Sequence, residues 1–159
     1  MDGAVRRDVT RGSVSIEVAV LAPAFIALLV LAGVAGRTAV AAEAVDVAAH
    51  DAARAASISR NAGRARDAAQ EAAEKQANWR GLNCEGGAHL EFSGSVDGQP
   101  TTFDRAFGSD TGQEVTVTVL VTCQVSYRDL RLPVLPGMLT TNEVSASFTS
   151  PLDRYRSRR

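Results

Sequence analysis

The sequence predicts an α+β protein: a long N-terminal helix, first transmembrane and then Ala-rich, followed by a small antiparallel β-sheet packed on that helix. Three observations carry this. Residues 18–36 are apolar and uncharged, residues 38–77 hold 17 alanines and no proline, and residues 114–127 alternate apolar and polar side chains.

The first element is the apolar run. Between Arg11 and Arg37 the only ionisable side chain is Glu17. Nineteen helical residues, 18–36, extend about 28 Å, close to the hydrocarbon thickness of a bilayer. A helix apolar on every face over that length suits lipid better than a soluble core. Arg6, Arg7 and Arg11 precede it, partly offset by Asp2 and Asp8, while Glu43, Asp46 and Asp51 follow Arg37. The positive-inside bias therefore places the N-terminus in the cytoplasm and the rest outside, as a single-pass protein of the cytoplasmic membrane.

Alanine is the best helix former, so the helix is expected to continue outward. Glu43, Asp46, His50, Arg54 and Ser57 recur at steps of three or four and form a solvated stripe; Ala41, Val45, Ala48, Ala52 and Ala55 form a small apolar face. Asn61 and Gly63 predict a break near 61–63, with a second helix from about Arg64 to Asn78.

Past Trp79 the pattern changes to period two. In EVTVTVLVTCQVSY (114–127) the odd positions are apolar and most even ones polar, which marks a strand with one buried face. Ala88, Leu90 and Phe92, and again Val144, Ala146 and Phe148, repeat the signature, with Gly94, Asp97-Gly98 and the segment 133–137 as turn chemistry. Three or four strands result, one face wet and the other covered by the Ala-rich helix. Cys84 and Cys123, the only cysteines, suit a disulfide or two buried thiols, and exterior placement favours the disulfide. The expected organisation is a cytoplasmic leader (1–12), a transmembrane helix (13–36), an Ala-rich helical region (37–79), a disulfide-stapled β region (80–150) and a basic tail (151–159).

A formal charge of −1 gives no reason to expect a nucleic-acid partner. No catalytic residue, cofactor or metal site is expected. His50 and His89 fall on polar faces, and His50, Asp51 and Ser57 on one helix do not converge as a catalytic triad requires. The two cysteines lack the spacing and histidine neighbours of a zinc site. Gly86-Gly87 reads as a turn, and the C-terminal arginines Arg154, Arg156, Arg158 and Arg159 as a solvated tail.

Glu17 is the residue these patterns do not absorb. A carboxylate in hydrocarbon costs about 2.5–3.5 kcal/mol at mid-depth, and the helix dipole returns at most about 1 kcal/mol near the first turn. Gly12 stands five residues before it, after Arg11. The stretch Gly12-Ser13-Val14-Ser15-Ile16-Glu17 resembles the processing site of type IV pilin precursors, in which a membrane peptidase cuts after a glycine and leaves a glutamate at the fifth mature position. Together with Glu17-Val18-Ala19-Val20-Leu21-Ala22-Pro23, Arg37 and the run AVDVAAHDAARAAS (44–57), it looks like the TadE-like pseudopilins of tight-adherence pilus systems.

The resemblance implies a minor, non-enzymatic subunit that helps assemble such a pilus. A prepilin peptidase would cut at Gly12–Ser13, and Glu17 would meet the new α-amino group of a neighbouring subunit. The implied partners are that peptidase, other pilin subunits, assembly membrane proteins and membrane lipid, with the surface pilus as a further destination. Ser13 departs from the bulky methylated residue of many pilins, so N-methylation is not expected. Two other outcomes stay open: a secreted protein cleaved after Ala39-Val40-Ala41, or an uncleaved single-pass anchor presenting a binding domain.

Overall fold

The computed structural model describes residues 11–79, 84–126 and 141–155 of the chain. The leader residues 1–10, Tyr127, the turn segment 133–137 and the arginines Arg156, Arg158 and Arg159 lie outside the described residues. The elements are α1 (Arg11–Ile58), α2 (Ala62–Trp79), β1 (His89–Val96), β2 (Gln99–Thr102), α3 (Phe103–Phe107), β3 (Val115–Ser126) and β4 (Thr141–Pro151). A long N-terminal helix followed by a four-stranded antiparallel sheet is the α+β class expected from the sequence. The chain divides between Gly36 and Arg37 into two compact units.

In the first unit, α1 is long and apolar enough to cross a membrane. Its large side chains face outward on all sides: Val20, Phe25, Ile26, Leu28 and Leu29 are all exposed. A helix with exposed large apolar side chains all round fits hydrocarbon as its solvent.

The second unit is built on alanine. On α1 the buried positions are Ala41, Ala44, Val45, Ala48, Ala49, Ala52, Ala53 and Ala56, and on α2 Ala65, Ala69 and Ala73 at four-residue spacing. All but Ala44 share one core cluster with the sheet. The buried arc on α1 is wider than the expected stripe, because α2 and the sheet both pack against it. Ala55 falls at its margin, half-buried. Methyl-sized side chains bury little area each but let elements approach closely, and the larger contributions come from Phe103, Phe107 and the β3 valines.

The break between the helices falls at 59–61, two residues earlier than expected. Asn61 is the reason. Its Oδ1 accepts from the Arg64 amide at 2.9 Å, and its carbonyl accepts from the Ala65 amide at 3.0 Å, so it caps α2. Gly63 therefore sits inside the first turn rather than in the break. At the other side, the hydroxyls of Ser57 and Ser59 donate to the Arg54 and Ala55 carbonyls in the last turns of α1, the second a group that the helix end leaves unpaired.

The sheet order is β2-β1-β3-β4, antiparallel throughout. On β3 the residues Val115, Val117, Val119, Val121, Cys123 and Val125 are buried, the alternation read from the sequence. Asp97-Gly98 closes the β1–β2 hairpin with both residues at positive φ, 50° and 78°, as a two-residue turn of right-handed twist requires. The Asp97 carboxylate accepts from the Glu114 amide at 3.0 Å and from Gln113 Nε2 at 3.1 Å, tying the hairpin to the start of β3.

Three local expectations need correction. Gly94 is not a turn residue: it is buried within β1, opposite Val117 on one side and Thr101 on the other. β2 and α3 occupy 99–107, where no element was foreseen; QPTT is too short to show a period, and five residues of α3 too few. Residues 151–155 are not a tail. Leu152 is buried with its amide donating to Val115, the Arg154 carbonyl accepts from Gly112, and the Arg154 guanidinium lies 3.0 Å from Glu114.

An ion pair ties α2 to α3, the short helix that follows β2. Arg66 on α2 donates through two nitrogens to the two carboxylate oxygens of Asp104 on α3, at 3.0 and 2.6 Å, and its guanidinium lies 5.0 Å from the Phe103 ring centroid. The hydrogen bonds from Arg66 hold the Asp104 carboxyl below its ordinary range. A depressed carboxylate stabilises the fold above its unfolded pKa and loses that contribution as pH falls through the folded one. In urea titrations across pH, Asp104→Asn is thus expected to show a shallower loss of stability than wild type below about pH 4. Both groups are largely solvent-facing, so the difference is small. Parallel curves would remove the pair from the acid response.

Candidate functional site

The segment singled out by the sequence lies at the start of α1. Arg11, Gly12 and Ser13 are helical and belong to α1.

Glu17 follows Gly12 by five residues, a rise of about 7.5 Å along the axis. Its side chain is exposed, as are those of Val18, Val20 and Leu21 beside it. Among the described residues no cation pairs with it. The chain thus holds a carboxylate at the head of its apolar helix and supplies no described partner for it.

The other expected residues are placed as follows. Cys84 and Cys123 form a disulfide with Cα atoms 5.2 Å apart. Cys123 is fully buried on β3, while Cys84 is half-buried and lies opposite Val125 in an isolated bridge. If the β1–β3 register continued evenly, Gly86 would face Val125; two residues are instead looped out. Gly86 and Gly87, both at positive φ, make that loop, and Glu85 donates to the Gln124 carbonyl within it. The double glycine read from the sequence as a turn thus brings the cysteine to its partner.

His50 is exposed, with Nδ1 3.3 Å from Asp51 and its ring edge-on to Phe148 at 4.4 Å between centroids. Ser57 is engaged elsewhere: its hydroxyl donates to Arg54 and accepts from Ser150 of β4. Ser57 thus links α1 to β4, while His50 pairs with its neighbour Asp51 and packs on Phe148. His89 is exposed on β1. Among the described residues no three of His, Cys, Asp and Glu come together as metal ligands. A hollow of about 380 Å³ lies between α1 and α2, lined by Asp51, Arg54, Ile58 and Lys75 among others.

Sequence reasoning missed the Arg66–Asp104 fork, the Asp97 staple and the close approach at Gly94. Only the Asp97-Gly98 pair left a legible signal; the other contacts join residues far apart in the chain. Comparison of the chain with family models, curated proteins and solved structures returns no match.

Proposed function

We propose that this chain is a minor pilin-like subunit of the TadE-like type, cut by a prepilin peptidase at Gly12–Ser13 and used in assembling a tight-adherence pilus. The observation that carries the proposal is Glu17: an exposed carboxylate at the head of an apolar helix, without a described partner in its own chain. Cleavage after Gly12 creates an α-amino group at Ser13. On a neighbouring subunit that cation satisfies Glu17 where water is scarce, and the pair sets the axial register of adjacent helices. The helix then serves as anchor before assembly and as packing element after it, while the disulfide-bonded domain faces the exterior.

The test is the intact mass and N-terminal residue of protein purified from its native membranes. A start at Ser13 supports the proposal. A start near Ala42 makes this a secreted protein with a discarded leader, and an intact Met1 an ordinary single-pass anchor. Gly12→Leu is expected to abolish the mature form, read as retention of the precursor mass. Glu17→Gln is expected to insert normally but to enter the pilus assembly about tenfold less, in line with roughly 1–2 kcal/mol for a polar contact between membrane helices. Normal incorporation of Glu17→Gln would remove the assembly role.

A further inference from the structure

A second hollow, also of about 380 Å³, opens between the β1–β2 hairpin and α3. Val96 of β1, Gln99, Pro100 and Thr101 of β2 and Arg105 of α3 line it, together with Gln113 ahead of β3. Its size falls within the range of small-molecule sites. The frame around it is well fixed. Val96 pairs with Gln99 in the hairpin, and Thr102 caps α3 by accepting from the Arg105 amide at 3.3 Å. Gln113 is held from both ends: its Oε1 accepts from the Asp110 amide at 3.0 Å, and its Nε2 donates to Asp97 at 3.1 Å.

Two of the lining side chains lack a described partner. Thr101 is half-buried, and its Oγ1, shut off from water, has no hydrogen-bond partner among the described residues. Folded chains rarely leave such a group unpaired, and each instance calls for a reason. Arg105 is exposed, and among the described residues no acid pairs with it. The acids nearby in sequence are engaged elsewhere. Asp104 is taken by Arg66, and Asp97 by Gln113 and the Glu114 amide. Arg154, the other arginine of the described β region, pairs with Glu114. No acid is among the described residues that line the hollow, so Arg105 carries its only charge.

We propose that this hollow binds a carboxylate. The Arg105 guanidinium takes the two carboxylate oxygens in its planar fork, the Thr101 hydroxyl donates to one of them, and Gln99 adds an amide donor. Threonine reaches its other staggered rotamers by a turn about χ1, so the hydroxyl can swing to an oxygen in the hollow. Val96 and Pro100 offer an apolar wall to the body of the ligand. A lone cation suits the one negative charge of a carboxylate better than the greater charge of a phosphate ester. The carboxylate belongs to a small free acid or to the end of a polypeptide. This inference goes beyond the pilin-like reading and does not depend on cleavage at Gly12–Ser13.

The experiment is residue-resolved NMR of the full-length chain in detergent, titrated with butyrate and with the dipeptide acetyl-Ala-Val, which ends in a free carboxylate. Butyramide and the amidated dipeptide are their uncharged counterparts. The expected result is saturable shifts centred on Gln99, Thr101 and Arg105 with the acids, and binding about tenfold weaker or absent with the amides. Arg105→Gln, with melting kept, is expected to weaken binding of the acids by about tenfold or more. Thr101→Val is expected to melt at or above wild type, since it removes an unpaired hydroxyl, and to weaken binding by about threefold or more. Tighter binding of butyrate identifies a free acid as the ligand, and tighter binding of the dipeptide a polypeptide terminus. Four results would overturn the proposal: no saturation by either acid, equal binding of acids and amides, binding unchanged in Arg105→Gln, or a lower melting temperature for Thr101→Val. The last would show that the hydroxyl already has a partner in the folded protein.

Discussion

Gly94→Val is expected to lower the unfolding free energy of the second unit by about 3 kcal/mol, the upper range for overpacking a tight site. A Cβ built on Gly94 would stand 2.6 Å from the Cβ of Ala106 on α3 and 3.3 Å from the Thr116 carbonyl oxygen. Neither neighbour has a rotamer through which to retreat, so β1 and α3 must separate. The separation would loosen Phe103 and Phe107, which flank Ala106 in the core. Gly94→Ala is expected to cost less, about 1–2 kcal/mol, because the smaller side chain also restricts the unfolded chain and recovers some tenths. The cause is testable. Ala106→Gly removes the opposing methyl, so the double variant Gly94→Ala/Ala106→Gly should be less destabilised than the two single changes added together. Strict additivity in chemical denaturation would mean that the contact does not limit the approach of α3 to the sheet.

Gly94 also shows where a sequence stops being informative about its fold. The period-two pattern of β3 was legible because one strand carries its own signal over twelve residues, and its buried face follows from parity alone. The Ala-rich helix was legible for the same reason, with a 3.6 period replacing the 2. A glycine carries no such signal. As a turn it supplies positive φ; inside β1 it supplies absence of volume, and only the position of α3 tells the two apart. α3 was illegible in turn, being held by tertiary contacts of Phe103, Ala106 and Phe107 rather than by any helical period of its own. The breadth of the buried arc on α1 depends likewise on where α2 folds back, which a one-helix pattern does not contain.

The candidate site divides the same way. Gly12, Ser13 and Glu17 were visible because their meaning lies in local spacing and in the apolar run behind them. The structure adds that Glu17 is exposed and that Gly12 and Ser13 lie on the same helix, α1. The position of β4 at the margin of the described sheet had no counterpart in the sequence. Val144, Ala146 and Phe148 mark a strand, but whether that strand lies inside the sheet or at its margin is a property of strand order.

Replacing Cys84 and Cys123 together by alanine is expected to lower the stability of the second unit by about 2–4 kcal/mol, or roughly 10 °C or more in Tm. The bridge spans 39 residues of chain, enclosing β1, the hairpin, β2, α3 and most of β3. Holding the ends of that loop together removes many conformations from the unfolded ensemble, the larger part of the expected effect. Cys123 is fully buried between β3 valines, so alanine leaves a small cavity but no orphaned hydroxyl, as serine would. The disulfide-intact protein treated with reductant under native conditions should lose stability by a similar amount once Cys84, the more accessible partner, is reached. For a unit whose helices bury mainly methyl groups, that is a large share of a net stability of about 5–15 kcal/mol. The consequence bears on function. A domain that leans on an oxidised bridge is poorly suited to a reducing cytosol, which is in keeping with the exterior placement proposed above. Two free thiols in protein recovered from native membranes, or unchanged melting in the double-alanine variant, would break this connection between the staple and the compartment.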